Sequence, residues 1–176
     1  MELVNSVYKT RLANTSLNLQ KLSTLIPNSD LHVGRPTQLK VVCPHNANVV
    51  CLIFGRGAIR IMGKGIIDIC DAYMILFDIL PYFTTETPTL EVQTMTFTAT
   101  VSAPINLIKF AETWKTELNT HASFELFSAL QINKFRPIAV NLFSTGKLVI
   151  CGAKCEQQAS VIHATILMYV NKMSVS

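Results

Sequence analysis

The 176-residue sequence has few charged residues and lacks the common signatures of catalysis. Charged residues make up 15% and apolar residues 49%, whereas a soluble domain has about 25% charged residues. No GxSxG, HExxH or Walker-type segment occurs, and Asp68 and Asp71 lack a matching His or Lys. We therefore expect that the chain is not an enzyme, and that a partner covers part of an apolar exterior.

The sequence also lacks the residue patterns that are typical of metal sites, disulfides and membrane spans. The five cysteines are odd in number and include no CxxC pair, which indicates free thiols in a reducing, intracellular compartment. Because His32, His45, His121 and His163 lie far apart, none at metal-ligand spacing with a cysteine, we expect no metal and no cofactor. The most apolar run, 66–80, contains three aspartates and is too short to span a bilayer. No targeting segment is visible, and we expect no membrane partner.

The net charge is small and positive, at +4 with a pI near 8.9. This charge permits nucleic-acid binding without requiring it, because a purely electrostatic binder would be far more basic. Any contact with DNA would depend on shape and apolar contact together with a few phosphate contacts.

One motif occurs twice. LIFGRGAIRIMGKG at 52–65 aligns with NLFSTGKLVICGAK at 141–154, so that F-x-x-G-x-x-x-x-x-G is repeated at a separation of 89 residues. Applied without a gap, the same separation places Leu19 on Ile108 and Leu25 on Trp114. We predict a duplicated half-domain, with repeats at 1–83 and 90–176 joined by a linker at 84–89.

Each repeat is predicted to contain a strand, a helix, further strands and a long helix. In the first repeat, Ser16 is expected to cap a helix over 17–26 whose Leu22, Leu25 and Ile26 share a face. In the second, a helix is expected to begin at Pro104 and to bury Ile108, Ala111 and Trp114. The other predicted elements are strands at 3–12, 38–43, 49–54, 58–62, 92–101, 127–132, 138–143 and 147–151, and long helices at 66–80 and 156–172.

An α+β fold satisfies this order if one antiparallel sheet has helices on one face only. Alternation along the strands then separates a core face from an open face. The expected core face is aliphatic: Ile53, Ile59, Ile61, Leu142, Leu148 and Ile150. The expected open face mixes aromatic, aliphatic, small and basic residues: Leu52, Phe54, Arg56, Ala58, Arg60, Met62, Asn141, Phe143, Thr145, Lys147, Val149 and Cys151.

The repeated segment resembles a known family. NLFSTGKLVICGAK followed by CEQQA, together with ASFELFSALQI and LVNSV, resembles the TATA-binding protein family over nearly the whole chain, more strongly in the second repeat. The resemblance implies a saddle of two pseudo-symmetric repeats that form one curved antiparallel sheet with helices on the convex face. It also implies a transcription factor that binds the minor groove of A·T-rich double-stranded DNA and bends it with phenylalanine wedges.

The resemblance assigns roles to residues of the open face. Phe127 and Phe143 match a wedge pair, Phe54 matches one wedge of the first repeat, and its partner falls on Gln38, near Pro36 and Leu39. Asn5 matches a groove-reading asparagine, whereas Thr94, Met62 and Cys151 depart from the family pattern, and Arg56, Arg60 and Lys147 are candidate phosphate contacts. The full expected DNA-binding set is Asn5, Val7, Leu52, Phe54, Arg56, Arg60, Met62, Thr94, Thr96, Phe127, Phe143, Thr145, Lys147, Val149 and Cys151.

The resemblance also implies protein partners. Glu125 and Leu126 match the position at which the family receives its B-type general transcription factor. The helix at 66–80 has no Lys or Arg, so its apolar surface, with Asp68 and Asp71, is a candidate site for other transcription subunits. We expect the chain in the nucleus or at another site of transcription, and its divergence fits a viral or protist system.

Two alternatives remain open from the sequence. The chain is either a DNA-bending promoter factor or a scaffold of the same fold that has lost DNA binding and belongs to a larger transcription complex. Individual residues have simpler interpretations as well: the three phenylalanines as core, Arg60 and Lys147 as solvated strand charges, and Asn5 as an edge-strand hydrogen-bonding residue.

Overall fold

The computed structural model describes residues 1–13, 16–101, 104–125 and 127–174. Two compact units are present. The first unit is Asn5–Gln93, and the second unit is Thr94–Ser176 together with Met1–Val4.

The first unit contains a sheet in which strands adjacent in space are antiparallel. Its elements are β1 (Glu2–Arg11), α1 (Leu19–Leu25), β2 (Ser29–His32), β3 (Gln38–Val42), β4 (Val49–Phe54), β5 (Ala58–Gly63) and α2 (Ile69–Ile79), followed by a 3₁₀ turn (Leu80–Tyr82). The strand order is β2-β3-β4-β5-β1. The sequence did not predict β2.

The second unit repeats this plan. Its elements are β6 (Glu91–Thr100), α3 (Leu107–Thr113), α4 (Lys115–Leu118), β7 (Thr120–His121), β8 (Ala129–Ile132), β9 (Ala139–Phe143), β10 (Lys147–Ala153) and α5 (Glu156–Ser174). The strand order is β6-β10-β9-β8-β7, again antiparallel. Among the described residues no helix is long and apolar enough to cross a bilayer.

In each unit the helices cover one face of the sheet. α1 contacts β2 and β3 and α2 contacts β5, while α3 contacts β8, α4 contacts β7 and α5 contacts β10. Alternate strand residues are buried beneath them, which confirms the expected core of Ile53, Ile59, Ile61, Leu142, Leu148 and Ile150. The remaining strand residues are partly or fully exposed and form what we call the open face of each unit.

Three predicted helix starts are wrong, and one of them is that of α2, which begins at Ile69 and not at residue 66. α1 is capped by Asn18, not Ser16, because the Asn18 side chain accepts a hydrogen bond from the Lys21 amide. α3 begins after Asn106, whose side chain accepts from the Lys109 amide, and not at Pro104. In both helices the asparagine carboxamide satisfies an amide that the first turn leaves without a partner.

These later starts also change which helix residues are buried. Leu25 and Ile108, expected to be buried, are 50% and 60% exposed. α3 instead buries Leu107 and Phe110. The gap-free alignment is therefore wrong for these helices: Asn18 and Asn106 differ by 88, so Leu19 corresponds to Leu107.

Candidate nucleic-acid interface

The open face of the first unit carries polar and basic side chains along β1. Asn5 and Val7 are half-buried, whereas Ser6 and Tyr8 between them are fully buried. The Ser6 hydroxyl donates to the carbonyl oxygen of Ile66 at 2.8 Å, on the helix-covered side. Asn5 and Val7 therefore point to the open face, as the sequence predicted.

Phe54 lies at the end of β4 on the same face. It is half-buried, and the guanidinium carbon of Arg60 lies 5.7 Å from the centre of its ring. Leu52, two residues earlier, pairs with Arg60 across β4 and β5. This arrangement brings an aromatic ring, an aliphatic side chain and a cation together at one place on the sheet.

The turn that follows Phe54 is built in the same way as the turn that follows Phe143. Gly57 has φ +76° and donates its amide to the Phe54 carbonyl at 2.9 Å, and Gly146 has φ +80° and donates to the Phe143 carbonyl at 2.9 Å. Glycine adopts this left-handed conformation without steric cost. The turns expose Arg56 in the first unit and Thr145 and Lys147 in the second.

Two phenylalanines form the central aromatic feature of the second unit. The rings of Phe127 and Phe143 meet edge to face, with 6.2 Å between their centroids and an interplanar angle of 67°. Phe127 is 41% exposed, and Phe143 is half-buried at the end of β9. Phe127 lies outside β8, which begins at Ala129, so the strand predicted from 127 starts two residues too early. Neither ring belongs to the core.

The remaining predicted residues of the second unit lie on its open face. Val149 pairs with Thr98 on one side and with Asn141 on the other, and Cys151 pairs with Thr96. These side chains, and that of Thr94, are partly exposed between the buried residues of their strands. Met62 occupies the corresponding place in the first unit, opposite Val7.

Strand pairing identifies a different counterpart of Phe127 in the first unit. Phe143 pairs with Ala129, and its equivalent Phe54 pairs with Gln38, so the two strands differ by 91 residues here and not by 89. The counterpart of Phe127 is therefore Pro36, and the expected match to Gln38 is wrong. Pro36 lines the same surface concavity as Phe54, Leu52 and Arg60.

Two of the predicted partner-binding residues, Asp68 and Asp71, lie at the start of α2. Asp68 and Asp71 form a capping box at the start of α2: Asp68 accepts from the amides of Cys70 and Asp71, and Asp71 accepts from the Ile67 amide at 2.8 Å. Glu125 is exposed. Leu126 lies outside the described residues.

The surface of α2 is apolar over part of its exposed side. Met74 and Phe77 are 68% and 48% exposed, and Ile67 just before the helix is 75% exposed. An apolar patch of this kind on a protein surface is typical of a site that another molecule covers.

Sequence reasoning missed three basic residues on the open face of the first unit: Lys9, Arg11 and Lys40, which lies opposite Leu52. Lys9 and Arg11 continue the alternation of Asn5 and Val7 along β1, and both are exposed. The period of two along this strand was the signal that would have found them. In the described part of the chain, no group of three or more His, Cys, Asp or Glu side chains is arranged to hold a metal ion.

Comparisons with known proteins agree on one family. The sequence profile described as "Transcription factor TFIID (or TATA-binding protein, TBP)" matches residues 89–173. The TATA-box-binding protein of Thermococcus kodakarensis is 32% identical over 153 residues, covering 82% of this chain and 77% of that protein. The structure of Methanococcus jannaschii TBP matches with a TM-score of 0.78 at 23% identity, over 97% of this chain and 98% of that one. The structural match confirms the fold class expected from the sequence.

Proposed function

Because this chain belongs to the TATA-box-binding protein family, whose members are transcription factors and not enzymes, we propose that it binds and bends promoter DNA. The contact is to the minor groove of an A·T-rich duplex, and each unit contributes its open face. Side chains that wedge between base steps unstack them and kink the duplex, which allows more protein surface to meet the DNA.

The exposed Phe127–Phe143 pair is the observation that carries this proposal. Two aromatic rings that touch each other on an open sheet face, with one of them 41% exposed, expose apolar area that a soluble protein ordinarily buries. A base step offers two flat apolar surfaces between which such rings can insert. In the first unit, Phe54 and Pro36 supply the equivalent positions.

The residues beside the wedges favour selection by DNA deformability. Thr94, Met62 and Cys151 offer few hydrogen-bonding groups to base edges, and the minor groove presents only a coarse distinction between A·T and G·C pairs. Flexible steps such as TA kink at lower cost than stiff ones. We expect a preference for flexible A·T-rich sequences, and not a strict requirement for one TATA element.

The proposal includes protein partners in the nucleus or at another site of transcription. A B-type general transcription factor or its equivalent binds near the exposed Glu125. Another transcription subunit covers Met74 and Phe77 on α2, with Asp68 and Asp71 at the start of that helix. Recruitment through these surfaces would connect the bent DNA to a polymerase.

A bending assay tests the DNA role. Duplexes of A·T-rich sequence labelled with a fluorescent donor and acceptor at their ends report the bend as increased energy transfer when the protein binds. Replacing both Phe127 and Phe143 with Ala is expected to abolish the bend and to weaken binding more than about tenfold, or about 1.4 kcal/mol. The matched control is Phe77→Ala, which removes an exposed phenylalanine of α2, away from the open face.

The same assay separates the proposal from the scaffold alternative. If the wild-type chain bends none of the duplexes at low salt, the DNA role is wrong. Co-purification with a protein partner that is lost in Phe77→Ala would then favour a scaffold of this fold.

A further inference from the structure

The open faces of the two units differ in charge at equivalent positions. In the first unit Lys9 pairs directly with Arg60 across β1 and β5. The equivalent pair in the second unit, 89 residues later in both strands, is Thr98 with Val149. Two cations therefore occupy the middle of one face where the other face has none.

A third cation lies beside this pair. Arg11 follows Lys9 by two residues on the same face of β1, opposite Ala58. Lys9, Arg11 and Arg60 line one concavity of the first unit, and Arg11 and Arg60 also line the adjoining concavity that contains Phe54 and Arg56. We call Lys9, Arg11 and Arg60 the basic cluster.

The basic cluster is only partly neutralised within the first unit. The Lys9 ammonium nitrogen lies 3.3 Å from a carboxylate oxygen of Glu91, which begins β6 but belongs to the first unit, and both side chains are more than half exposed. Among the described residues, no carboxylate forms a salt bridge with Arg11 or Arg60. Like charges placed directly opposite each other on neighbouring strands destabilise a sheet. An anion that binds between them removes this repulsion.

We propose that the basic cluster is a phosphate-binding site specific to the first unit, and that Glu91 is its internal competitor. Guanidinium groups match the geometry of phosphate oxygens through paired hydrogen bonds. Because Arg60 lies against Phe54, a phosphate held there is fixed next to the wedge position of this unit. The second unit exposes Lys147 at its turn but no such cluster. The first unit therefore carries most of the salt dependence of DNA binding. This last inference rests on the proposed function.

The salt dependence of duplex binding tests the cluster. The logarithm of the binding constant falls linearly with the logarithm of salt concentration, with a slope of about −0.9 for each phosphate contact. Arg11→Gln and Arg60→Gln are each expected to reduce the steepness by about 0.9. The control Lys21→Gln removes an exposed cation of α1, a helix on the covered side, and leaves the slope unchanged. Glu91→Gln is expected to tighten binding, because it releases Lys9.

A second measurement needs no DNA and keeps the two proposals distinguishable. Inorganic triphosphate, compared with sodium chloride of equal ionic strength, is expected to raise the Tm of the wild-type chain and of Lys21→Gln, but not of the Arg11→Gln, Arg60→Gln double variant. This result supports the cluster even if no duplex is bent. An unchanged Tm in the wild type, or unchanged salt slopes in both arginine variants of a chain that binds DNA, overturns it.

Discussion

At the residue scale, Tyr8 places a phenol in the core of the first unit. Its side chain is fully buried, and its hydroxyl has no hydrogen-bond partner among the described residues. Burial raises the pKa of Tyr8, and the negative charges of Asp68 and Asp71 add to this effect. The folded state therefore binds the phenolic proton more tightly than the unfolded state does. The stability linked to Tyr8 is complete below the unfolded pKa of about 10 and is lost as the pH rises from there toward the folded pKa.

Replacement of Tyr8 by Phe removes both the unpaired hydroxyl and this pH dependence. We expect Tyr8→Phe to raise the free energy of unfolding by about 1 kcal/mol at pH 7, because a buried unpaired hydroxyl costs about that much or more. The gain should increase above pH 10. Urea titrations at pH 7 and at alkaline pH measure both effects, with Tyr82→Phe, whose ring is 41% exposed, as the control. A loss of stability at pH 7 would show that the hydroxyl has a partner in solution.

At the element scale, the repeated glycine at the end of β5 and within β10 has a steric reason. A Cβ added to Gly63 would overlap the carbonyl oxygen of Asn48 and lie 2.7 Å from the Cα of Val49, in a backbone with φ +153°. In the second unit, Gly152 has φ +105° at the point where the pairing of β10 with β6 shifts by one residue. The second glycine of the repeated motif therefore allows a close approach to the neighbouring strand at Gly63 and a positive φ at the shift in strand pairing at Gly152.

Gly63→Ala should consequently destabilise the first unit. We expect a loss of about 2 kcal/mol or more in the free energy of unfolding, from the contact with Asn48 and from the strained φ. Gly34→Ala is the control: an added Cβ there meets nothing within 4 Å, and we expect a change of less than about 0.5 kcal/mol. Equal effects in the two variants, measured by urea titration, would contradict this account of the motif.

The elements also show why sequence reasoning succeeded for strands and failed at helix starts. The alternation of Ile53, Ile59 and Ile61 with partly or fully exposed neighbours has a strict period of two, so the core face could be predicted without knowing the pairing. Ser16 and Asn18 are both good capping residues, and only the position of the helix on the sheet selects Asn18. Local sequence carries little information about that position.

The candidate site, like the fold, was predictable where it depends on strand alternation and not where it depends on the lengths of the connections. The face of each strand residue followed from alternation, so that the positions of Phe54 and Phe143 were expected. The counterpart of Phe127 was not, because the chain between the paired residues Gln38 and Phe54 is two residues longer than the chain between the equivalent pair Ala129 and Phe143, which moves the match from Gln38 to Pro36. A constant separation between repeats cannot represent such a difference in loop length.

At the scale of the whole molecule, the five cysteines differ in solvent exposure, from buried to half-buried to exposed. Cys43 and Cys51 are buried, Cys151 is half-buried on the open face, and Cys70 and Cys155 are exposed at the starts of the long helices. Burial also raises the pKa of the Cys51 thiol, which keeps it in its unreactive protonated form. Alkylation of the native chain should therefore modify Cys70 and Cys155 first, Cys151 more slowly, and Cys43 and Cys51 only after unfolding.

This order of reactivity allows a footprint of the surface that meets DNA. If the open face of the second unit contacts the duplex, saturating A·T-rich DNA should slow alkylation of Cys151 in proportion to the fraction of protein bound, because the thiol leaves solvent on binding. Cys70 and Cys155, beside the helices that cover the opposite face, should react at the same rate with and without DNA. Mass spectrometry of quenched time points measures all three thiols in one sample, so the exposed cysteines serve as internal controls. Protection of Cys70 in place of Cys151 would assign the DNA to the helical side, because a bound duplex shields only the face that it contacts.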